Sequence, residues 1–440
     1  MSPPPAVRRI ATRLEEAGYE TWAVGGAVRD QVLGRPAGDW DLATRARPEE
    51  IRRVFRRTVP LGIEHGTVGV LDGGKLYEVT TFRRDVETFG RHAVVEFADD
   101  IEEDLARRDF TFNALAWHPL SGRLLDPFGG RGDLADRRLR TVGEPAERFA
   151  EDYLRVLRAL RFAGQFHLDI EPATWEALRA ATPQLVRLSA ERVREELVKV
   201  LTQLRSASRA LDLYRAAGVL DHLFPELAAV AAEGGGGELW ATTLRAVDAV
   251  PPSRPTLRLA ALLHAVGMPP SRTRDLRGGW RYTGHEVVGS RTAGDVMARL
   301  KSSNAEREWV TRLVRHQNDL FPPDAPDAGI RRWLRHVGDD LVPDLFRLRF
   351  ALWRAGRSSG ERPGDLLARW AAARRVLRAS PPLAIADLAI GGHELKRLGI
   401  EQGPRFREIL EDLLERVVED PSLNRPHVLE EIVRREWLHE

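Results

Sequence analysis

Two aspartates separated by one residue are the first candidates for chemistry in this sequence. Asp39 and Asp41 lie near the end of the stretch WAVGGAVRDQVLGRPAGDWDLAT, residues 22–44. Side chains two residues apart on a strand project from the same face, so both carboxylates can hold cations together. Mg²⁺ prefers oxygen ligands and is usually held by one or two carboxylates plus substrate phosphates. Two such ions about 3.5–4 Å apart can activate an attacking hydroxyl and stabilise a departing pyrophosphate.

The same stretch contains groups suited to a triphosphate. Gly25 and Gly26 follow a short apolar run, and backbone without side chains lets N–H groups at a helix start approach phosphates closely. Arg29, in the first turn of that predicted helix, can neutralise charge on the β- and γ-phosphates. A glycine turn with surface charges is the alternative for each feature taken alone. The combination of the glycines with Asp39 and Asp41 at this spacing favours a nucleotide site.

Glu78 is the candidate for a third carboxylate of a two-metal site. It lies in LYEVTTFR, residues 76–83, on a predicted strand that we expect to pair beside the first strand. An ordinary charge on an edge strand is an equally good explanation, so the sequence leaves this role open.

A charged cluster precedes an apolar run in EEDLARRDFTFNALAW, residues 102–117. Arg107 and Arg108 can face the phosphates or the sugar of a nucleotide, while Asp109 orients them. The following Phe110-Thr111-Phe112-Asn113 is interpreted as the entry to an apolar helix. A solvated helix end is the alternative for a cluster of this kind.

A second charged cluster lies in RFAEDYLRVLRALRF, residues 148–162. At helical spacing Glu151, Asp152, Arg155 and Arg158 lie close to one face. A carboxylate accepts from the exocyclic amine of cytosine or adenine, and a guanidinium donates to the adjacent ring nitrogen, so an Asp–Arg pair can imitate a base edge. Guanine and uracil present the opposite pattern. Intrahelical salt bridges are the alternative.

The elements that must position these residues form an α/β beginning and a helical remainder. We predict alternating helices and strands at 5–17, 21–25, 27–34, 39–43 and 47–56, and a hairpin that turns at Asp72-Gly73-Gly74. From Glu147 onward the hydrophobic periodicity is helical almost to the end. The fold class is therefore α+β, with a small mixed unit over the first ~140 residues.

Composition describes a soluble globular chain of 440 residues, with 43% hydrophobic and 30% charged residues. No apolar run approaches the roughly 18 residues that span a bilayer, and the N-terminus lacks the apolar core of a signal peptide. The absence of cysteine excludes disulfides and thiolate metal sites. These features predict a cytoplasmic protein without a membrane partner. The formal charge of +2 permits a nucleic-acid partner and does not demonstrate one.

Taken together, the motifs resemble the class II tRNA nucleotidyltransferases, which include CCA-adding enzymes, CC-only and A-only relatives, and bacterial poly(A) polymerases. The resemblance covers roughly residues 1–205, where five segments follow the family's order: GGAVRD…DWDLAT, RRDFTFNA, DPFGG, EDYLR and SAERVREELVKVL. It implies a polymerase-β-like head followed by an elongated helical neck, body and tail that grip the tRNA acceptor arm.

The resemblance also implies roles for individual residues. Asp39 and Asp41 match the metal-binding positions, and Gly25, Gly26 and Arg29 match the contacts to the triphosphate. Arg107, Arg108 and Asp109 match the positions that contact the ribose, and Asn113 is grouped with them. Glu151, Asp152 and Arg155 match the positions that select CTP and ATP. Residues 81–97 resemble the flexible loop that adjusts the pocket for ATP. This loop includes Arg83 and retains Arg91 and His92, which argues against a CC-only enzyme.

The remaining chain resembles accessory regions of the family. Residues 257–317 look like a fused HD phosphohydrolase domain, but Ala265 replaces the aspartate of its His-Asp pair, so we expect a remnant without phosphohydrolase activity. The sequence thus predicts four parts: a catalytic head at 1–140, a nucleotide-selecting neck at 141–205, a degenerate HD-like body at 206–378 and a tRNA-binding tail at 379–440.

The function predicted from these observations is template-independent addition of CMP and AMP, from CTP and ATP, to the 3′ end of tRNA with two Mg²⁺ ions. A-only addition beside a separate CC-adding enzyme and poly(A) synthesis are the alternatives within the class. A non-catalytic RNA-binding protein and an HD phosphohydrolase are the alternatives from other classes. One observation disfavours both of these alternatives: the head retains Asp39 and Asp41, whereas the His-Asp pair of the HD segment has lost its aspartate.

Overall fold

The computed structural model describes residues 3–89, 92–234, 237–276, 279–356 and 362–438. The chain forms two compact units, Met1–Pro225 and Glu226–Glu440. The first contains the mixed sheet and the second is almost entirely helical, so the expected α+β class is confirmed. The finer division into head, neck, body and tail stays a prediction.

The sheet of the first unit holds seven strands among the described residues, in the order β3-β4-β5-β2-β1-β8-β9. The β2–β5 pair is parallel and its other pairs are antiparallel. The strands of this unit, including two further pairs outside the sheet, are β1 (Thr21–Val24), β2 (Asp41–Thr44), β3 (Thr58–Pro60), β4 (Thr67–Asp72), β5 (Lys75–Thr81), β6 (Arg83–Phe89), β7 (His92–Phe97), β8 (Ala116–Trp117), β9 (Leu124–Leu125), β10 (Arg138–Leu139) and β11 (Asp169–Ile170).

Helices surround this sheet and continue beyond it to the end of the first unit. The first eleven are α1 (Pro5–Glu16), α2 (Gly26–Val32), α3 (Pro48–Val54), α4 (Ile101–Ala106), α5 (Gly130–Ala135), α6 (Pro145–Glu151), α7 (Leu154–Phe166), α8 (Pro172–Ala181), α9 (Ala190–Gln203), α10 (Ser208–Ala216) and α11 (Val219–Leu223).

The hairpin between β4 and β5 forms where the sequence predicts it. Gly73 and Gly74 take φ values of 59° and 81°, which only glycine adopts readily, so the two strands can reverse in a two-residue turn. The pairing register Leu71↔Leu76 follows directly from that turn. This hairpin positions β5, the strand that carries Glu78.

The core of the sheet forms from its apolar positions and the helix that covers them. Trp22, Ala43 and Phe82 are buried and belong to one cluster with Ile101 and Leu105 of α4. Burial of such side chains stabilises the fold by roughly 1.5–3 kcal/mol each. Because α4 is fixed on this face, the charged residues that follow it are held at a defined place beside the sheet.

The predicted helix after Asp109 is wrong. Residues Thr111–Asn113 make a single 3₁₀ turn, and Ala116–Trp117 then form β8 against β1. Phe110 and Phe112 are fully buried and stack with ring centroids 5.6 Å apart. Their packing, rather than helical propensity, decides the local structure, because tertiary burial outweighs the weak preferences of a short apolar run.

The second unit begins within α12 and consists of helices with one short hairpin. Its elements are α12 (Pro225–Ala232), α13 (Glu238–Ala249), α14 (Pro255–Leu263), β12 (Thr273–Arg274), β13 (Trp280–Arg281), α15 (His285–Arg299), α16 (Asn304–His316), α17 (Asp327–Val337), α18 (Val342–Arg354), α19 (Pro363–Arg378), α20 (Gly392–Arg397), α21 (Pro404–Glu419) and α22 (Pro426–Trp437). Helices α20, α21 and α22 share a cluster that includes Leu395, Leu413 and Leu429. Within the described ranges, no helix is long and apolar enough to cross a membrane.

Candidate active site

A pocket of about 600 Å³ opens in the first unit and collects most of the predicted site residues. Its described lining carries eight arginine or lysine side chains and five carboxylates, so it combines an anion-attracting wall with groups that can hold cations. The predicted residues that line it are Gly25, Gly26, Arg29, Asp41, Glu78, Arg83, Arg107, Arg108, Asp109, Asn113, Asp152, Arg155 and Arg158.

Four predicted residues are not part of that lining. Asp39 and Glu151 lie outside it and are described below. Arg91 lies outside the described residues. His92 begins β7, but its side chain also lies outside what the structure describes. The loop prediction therefore rests on Arg83 alone, whose Nη1 donates to the backbone oxygen of His65 at 2.7 Å.

Strand pairing brings Asp41 and Glu78 to one side of the sheet. The parallel register Leu42↔Val79 places the two carboxylates one residue earlier on neighbouring strands. Leu42 and Val79 are fully buried, so the acids project to the opposite face, into the pocket. Glu78 was expected beside the first strand, but it lies beside β2, the strand of Asp41 itself.

The electrostatics of Asp41 fit a cation site. Burial, together with the nearby charge of Glu78, raises the pKa of Asp41 to about 6, although Arg108 opposes the shift. A carboxylate whose negative charge is disfavoured in this way gains from a bound divalent cation, which supplies the missing positive charge. The oxygen donor set of Asp41 and Glu78 is the kind that Mg²⁺ prefers.

Asp39 is oriented differently from its predicted partner. Its side chain is 91% exposed, and its Oδ1 lies 3.2 Å from Nζ of Lys75. The regular strand begins only at Asp41, so alternation along a strand does not by itself bring the two carboxylates together. The role of Asp39 as a metal ligand therefore stays a prediction.

Asp41→Asn is expected to stabilise the metal-free protein. The folded state raises the pKa of Asp41 to about 6, so ionised Asp41 opposes folding above that pH and not below pH ~4, where the carboxyl is protonated in both states. Removing the charge should raise the free energy of unfolding at pH 8 by about 1–3 kcal/mol, measured by thermal or urea unfolding in a chelator. An equal gain at pH 4 and pH 8 would contradict this electrostatic explanation.

Gly25 and Gly26 form the turn that brings backbone toward these acids. The antiparallel register places Val24 opposite Asp41, and Gly25 follows with φ of +74°. A Cβ on Gly25 would lie 3.5 Å from Nη1 of Arg108 and 3.6 Å from Oδ2 of Asp41. The turn therefore requires glycine for its backbone conformation and leaves the backbone open between an acid and a guanidinium. The close approach of this backbone to a triphosphate stays a prediction.

Arg29 is part of a buried hydrogen-bond network below this turn. It donates from Nη1 to Oδ1 of Asn113 at 2.9 Å and from Nε to Oδ1 of Asp30 at 2.9 Å. Its guanidinium lies over the Phe166 ring, 4.6 Å from the centroid. Burial lowers the pKa of Arg29 despite the charge of Asp30. Arg29 is therefore held rigidly at the pocket wall, so that any contact with phosphate is preorganised.

Asp109 continues the same network on its other side. It accepts from Nδ2 of Asn113 at 2.9 Å, from the backbone N–H of Phe110 at 2.9 Å and from Nε of Arg158 at 2.8 Å. Burial alone would raise the pKa of Asp109, but Arg158 and Asn113 hold it below its ordinary value. These hydrogen bonds hold the Asp109 carboxylate in place. Asp109 in turn fixes the side chains of Asn113 and Arg158 in the lining of the pocket.

Asp104, which sequence analysis left without a role, orients the two neighbouring arginines. It is buried and accepts from Nε of Arg107 and from Nη2 of Arg108, both at 3.1 Å. Burial would raise the pKa of Asp104, but the two guanidinium groups lower it. Its position three and four residues before the arginines on a helix is the signal that could have identified it.

The predicted continuous helix through residues 148–162 is interrupted. Helix α6 ends at Glu151, Asp152 is extended with φ of −152°, and α7 begins at Leu154. Arg155 pairs with Glu151, whereas Asp152 accepts from Nη2 of Arg192 at 2.7 Å. Asp152 and Arg155 therefore have different partners, and their joint selection of a base stays a prediction.

Further contacts hold Asp152 and Arg155 in the lining of the pocket. Oδ1 of Asp152 also accepts from the backbone N–H of Leu154 at 3.1 Å, so both of its oxygens are oriented. Nη2 of Arg155 donates to the backbone oxygen of Arg107 at 3.2 Å. Arg192 lies on α9, forty residues from Asp152 in sequence, and only the segment SAERVREELVKVL drew attention to it.

Two family models match the chain. The model described as "Poly A polymerase head domain" matches residues 21–140. The model described as "Probable RNA and SrmB- binding site of polymerase A" matches residues 167–230. The first match contains most of the residues that line the pocket, and the second contains Lys199 and Gln203 of the same lining.

Curated relatives and solved structures agree with these matches. The CCA-adding enzyme of Streptococcus pyogenes serotype M2 is 51% identical over 194 residues, which are 44% of this chain and 48% of that protein. The chain thus spans about half the length of the curated relatives it matches. A crystal structure of Bacillus stearothermophilus CCA-adding enzyme in complex with CTP is 31% identical, covers 100% of both chains and has a TM-score of 0.75. Thermotoga maritima CCA-adding enzyme complexed with tRNA-CCA is 22% identical with a TM-score of 0.60, which shows the shared fold.

Proposed function

Because the chain belongs to the family of the CCA-adding enzymes, we propose that it adds CMP and AMP from CTP and ATP to the 3′ end of tRNA without a nucleic-acid template. The observation that carries this proposal is the pocket itself. One cavity contains Asp41 and Glu78, the Gly25-Gly26 turn and the Asp152 wall. The B. stearothermophilus enzyme, which this chain matches over 100% of both chains, was crystallised with CTP. That complex supports a nucleotide as the molecule that binds in the pocket.

Divalent metal ions belong to nucleotidyl transfer in this family, and we propose Mg²⁺ here. Asp41 and Glu78, together with Asp39 if its side chain turns from Lys75, would hold the ions. When bound, the ions would polarise the attacking hydroxyl and neutralise charge on the leaving pyrophosphate. The raised pKa of Asp41 supports this assignment, because the site without a cation carries an uncompensated negative charge.

The chain's own contribution to the transfer is positioning and charge neutralisation. The 3′-hydroxyl of the RNA loses its proton to water as its oxygen forms a bond to the α-phosphorus. The bond from that phosphorus to the oxygen that bridges to the β-phosphorus breaks as pyrophosphate leaves. We assign the backbone N–H groups of Gly25 and Gly26 to the triphosphate, with Arg29 and Arg108 on its charges. Rigid placement by Asn113, Asp30 and Asp104 keeps these cations oriented before the substrate arrives.

Selection of the base is assigned to the wall that holds Asp152 and Arg155. Asp152 would accept from the exocyclic amine of cytosine or adenine, and Arg155 would donate to the adjacent ring nitrogen. Glu151 and Arg192 keep these two side chains in place. We assign Arg107, Asp109 and Asn113 to the ribose side of the pocket. Because tRNA, CTP and ATP meet in the cytoplasm, we propose that compartment.

Incorporation on three tRNA transcripts tests the proposal. The transcripts end before CCA, after C and after CC, and each is offered labelled CTP, ATP or both with Mg²⁺. Three additions to the shortest transcript are the expected result. A single A, added only to the transcript that ends in CC, would identify an A-adding enzyme instead. No incorporation on any transcript would overturn the proposal and favour an RNA-binding protein.

Poly(A) synthesis is the second candidate, because the matching head model carries the name of poly(A) polymerases. The same assay separates the two activities. A CCA-adding enzyme stops after the third nucleotide and requires the acceptor arm, whereas a poly(A) polymerase extends an unstructured RNA with many adenosines. An unstructured RNA of the same length, with ATP alone, is therefore the matched control.

A further inference from the structure

Two histidines and an aspartate meet in the second unit, whereas the proposed active site belongs to the first. His316 ends α16, Asp319 follows it, and His336 lies near the end of α17. Oδ2 of Asp319 is 3.2 Å from Nδ1 of His316 and 3.0 Å from Nε2 of His336. One ligand atom from each of the three residues lies within 4.8 Å of the other two. We call this group the His–Asp–His cluster.

The backbone around Asp319 is fixed independently of its carboxylate. The N–H of Asp319 donates to the backbone oxygen of His316 at 2.9 Å, and Nε1 of Trp333 donates to the backbone oxygen of Asp319 at 2.8 Å. Trp333 also packs edge-on against Phe321, with ring centroids 5.0 Å apart. The segment between the helices is thereby tied to α17, so Asp319 is held between the two histidines before any ligand binds.

This cluster is not the HD centre that the sequence resembles. Ala265 occupies the place of the HD aspartate, and Nδ1 of His264 is 2.8 Å from the backbone oxygen of Ala261. Nδ1 of His285 is 2.7 Å from the backbone oxygen of Tyr282. Of His264, His285 and His316, only His316 joins the cluster, with partners that do not belong to the HD pattern.

We propose that the His–Asp–His cluster binds a divalent transition-metal ion, with Zn²⁺ the best fit. Two imidazole nitrogens and one carboxylate oxygen form a three-ligand protein set for zinc, and water completes a tetrahedron. Ligands about 2.1 Å from a tetrahedral ion lie about 3.4 Å apart, close to the separations within the cluster. Mg²⁺ and Ca²⁺ prefer sites built from oxygen alone. The ion would connect the end of α16 to α17.

Zinc binding by the full chain tests this site, with two of the proposed active-site carboxylates removed so that they do not compete. The parent for the test is the Asp39→Ala/Asp41→Ala protein, titrated with Zn²⁺ against a chromophoric chelator. One equivalent per chain is expected. His336→Gln and Asp319→Asn in that parent should each weaken binding at least about tenfold, the effect typical of losing a ligand or its support. The matched control is His427→Gln, an exposed histidine on α22.

A spectroscopic and a thermal measurement make the test independent of chelator competition. Co²⁺ should give the intense visible absorption of a tetrahedral site in the parent and the His427→Gln protein, and lose it in His336→Gln. Zn²⁺ should raise Tm in the same two proteins only, because a ligand that binds the folded state stabilises it. The side chain of His336 is 61% exposed, so its replacement should leave the fold intact.

Equal zinc affinity in the parent, His336→Gln and Asp319→Asn would overturn the proposal, as would the absence of zinc binding in the parent. Either result would leave the cluster as a carboxylate that pairs with two histidines. Neither result bears on nucleotide addition, since the cluster and the pocket lie in different units.

Discussion

Alanine at Asp41 is expected to lower the rate of nucleotide incorporation at least about a thousandfold while tRNA binding is retained. Asp41 supplies the carboxylate at the centre of the pocket, beside Glu78 and the Gly25 turn. Loss of charge stabilisation at a reacting phosphate is worth several kcal/mol, and about 4 kcal/mol corresponds to a thousandfold in rate. Single-turnover incorporation of CMP measures the rate, and a filter-binding assay measures tRNA affinity.

The same measurement on Asp39→Ala decides between two arrangements. In the structure Asp39 is exposed and pairs with Lys75, although its charge contributes to the raised pKa of Asp41. We expect a loss similar to that of Asp41→Ala, because we propose that Asp39 turns toward the ions when nucleotide binds. The matched control is Asp169→Ala, since Asp169 is 93% exposed and lies 3.2 Å from Arg209. Full activity in Asp39→Ala would remove Asp39 from the metal site and leave Asp41 and Glu78 as its ligands.

Local sequence signals predicted the parts of the fold that depend on local chemistry. The Asp72-Gly73-Gly74 turn and the Gly25 position both require positive φ, which glycine alone adopts at little cost, so both could be identified from residue type. Asp41 was identifiable because it lies two residues from Asp39 and shortly after Gly25 and Gly26, a combination that favours a nucleotide site. Of these features, Gly25 and Asp41 line the pocket.

Other features depend on partners that are distant in sequence. The helix break at Asp152 is not encoded by glycine or proline; the acid there is held by Arg192, forty residues away. Helical periodicity assigned Asp152 and Arg155 to one face because it considers only neighbours within two turns. The 3₁₀ turn at Thr111–Asn113 has the same cause, since packing of Phe110 and Phe112 overrides the local pattern. Arg192 itself could not be assigned a role until its partner was known.

The His–Asp–His cluster is another feature that sequence patterns could not predict. The sequence favoured a remnant without a metal centre because the HD aspartate is missing. His336 lies on a different helix from His316 and follows no known spacing, so only the fold brings it to Asp319. A motif can therefore be lost from a sequence while another set of ligands assembles nearby.

Asp152→Ala is expected to reduce the discrimination of CTP and ATP against UTP and GTP by at least about a hundredfold. Sites that hydrogen-bond a particular group of the substrate reject analogues without that group by factors of about 10⁴–10⁵. Removing one hydrogen-bond partner from the site should lower this factor strongly. Both oxygens of Asp152 are oriented by Arg192 and the Leu154 N–H, so the carboxylate is preorganised to accept from a base amine. The measurement is kcat/KM for each of the four nucleotides on a transcript that ends before CCA.

Arg192→Ala separates the positioning of Asp152 from its contact with the base. Nη2 of Arg192 donates to Oδ2 of Asp152 at 2.7 Å. Arg192→Ala should therefore lower the ratio of kcat/KM for CTP or ATP to kcat/KM for UTP or GTP by about tenfold. Glu147→Ala, an exposed acid on α6, is the matched control and should leave discrimination unchanged. If Asp152→Ala lowers kcat/KM equally for all four nucleotides, the acid supports the pocket without reading the base. If instead Asp152→Ala lowers kcat/KM only for CTP and ATP, with a smaller effect for Arg192→Ala, Asp152 at the break between α6 and α7 selects the base.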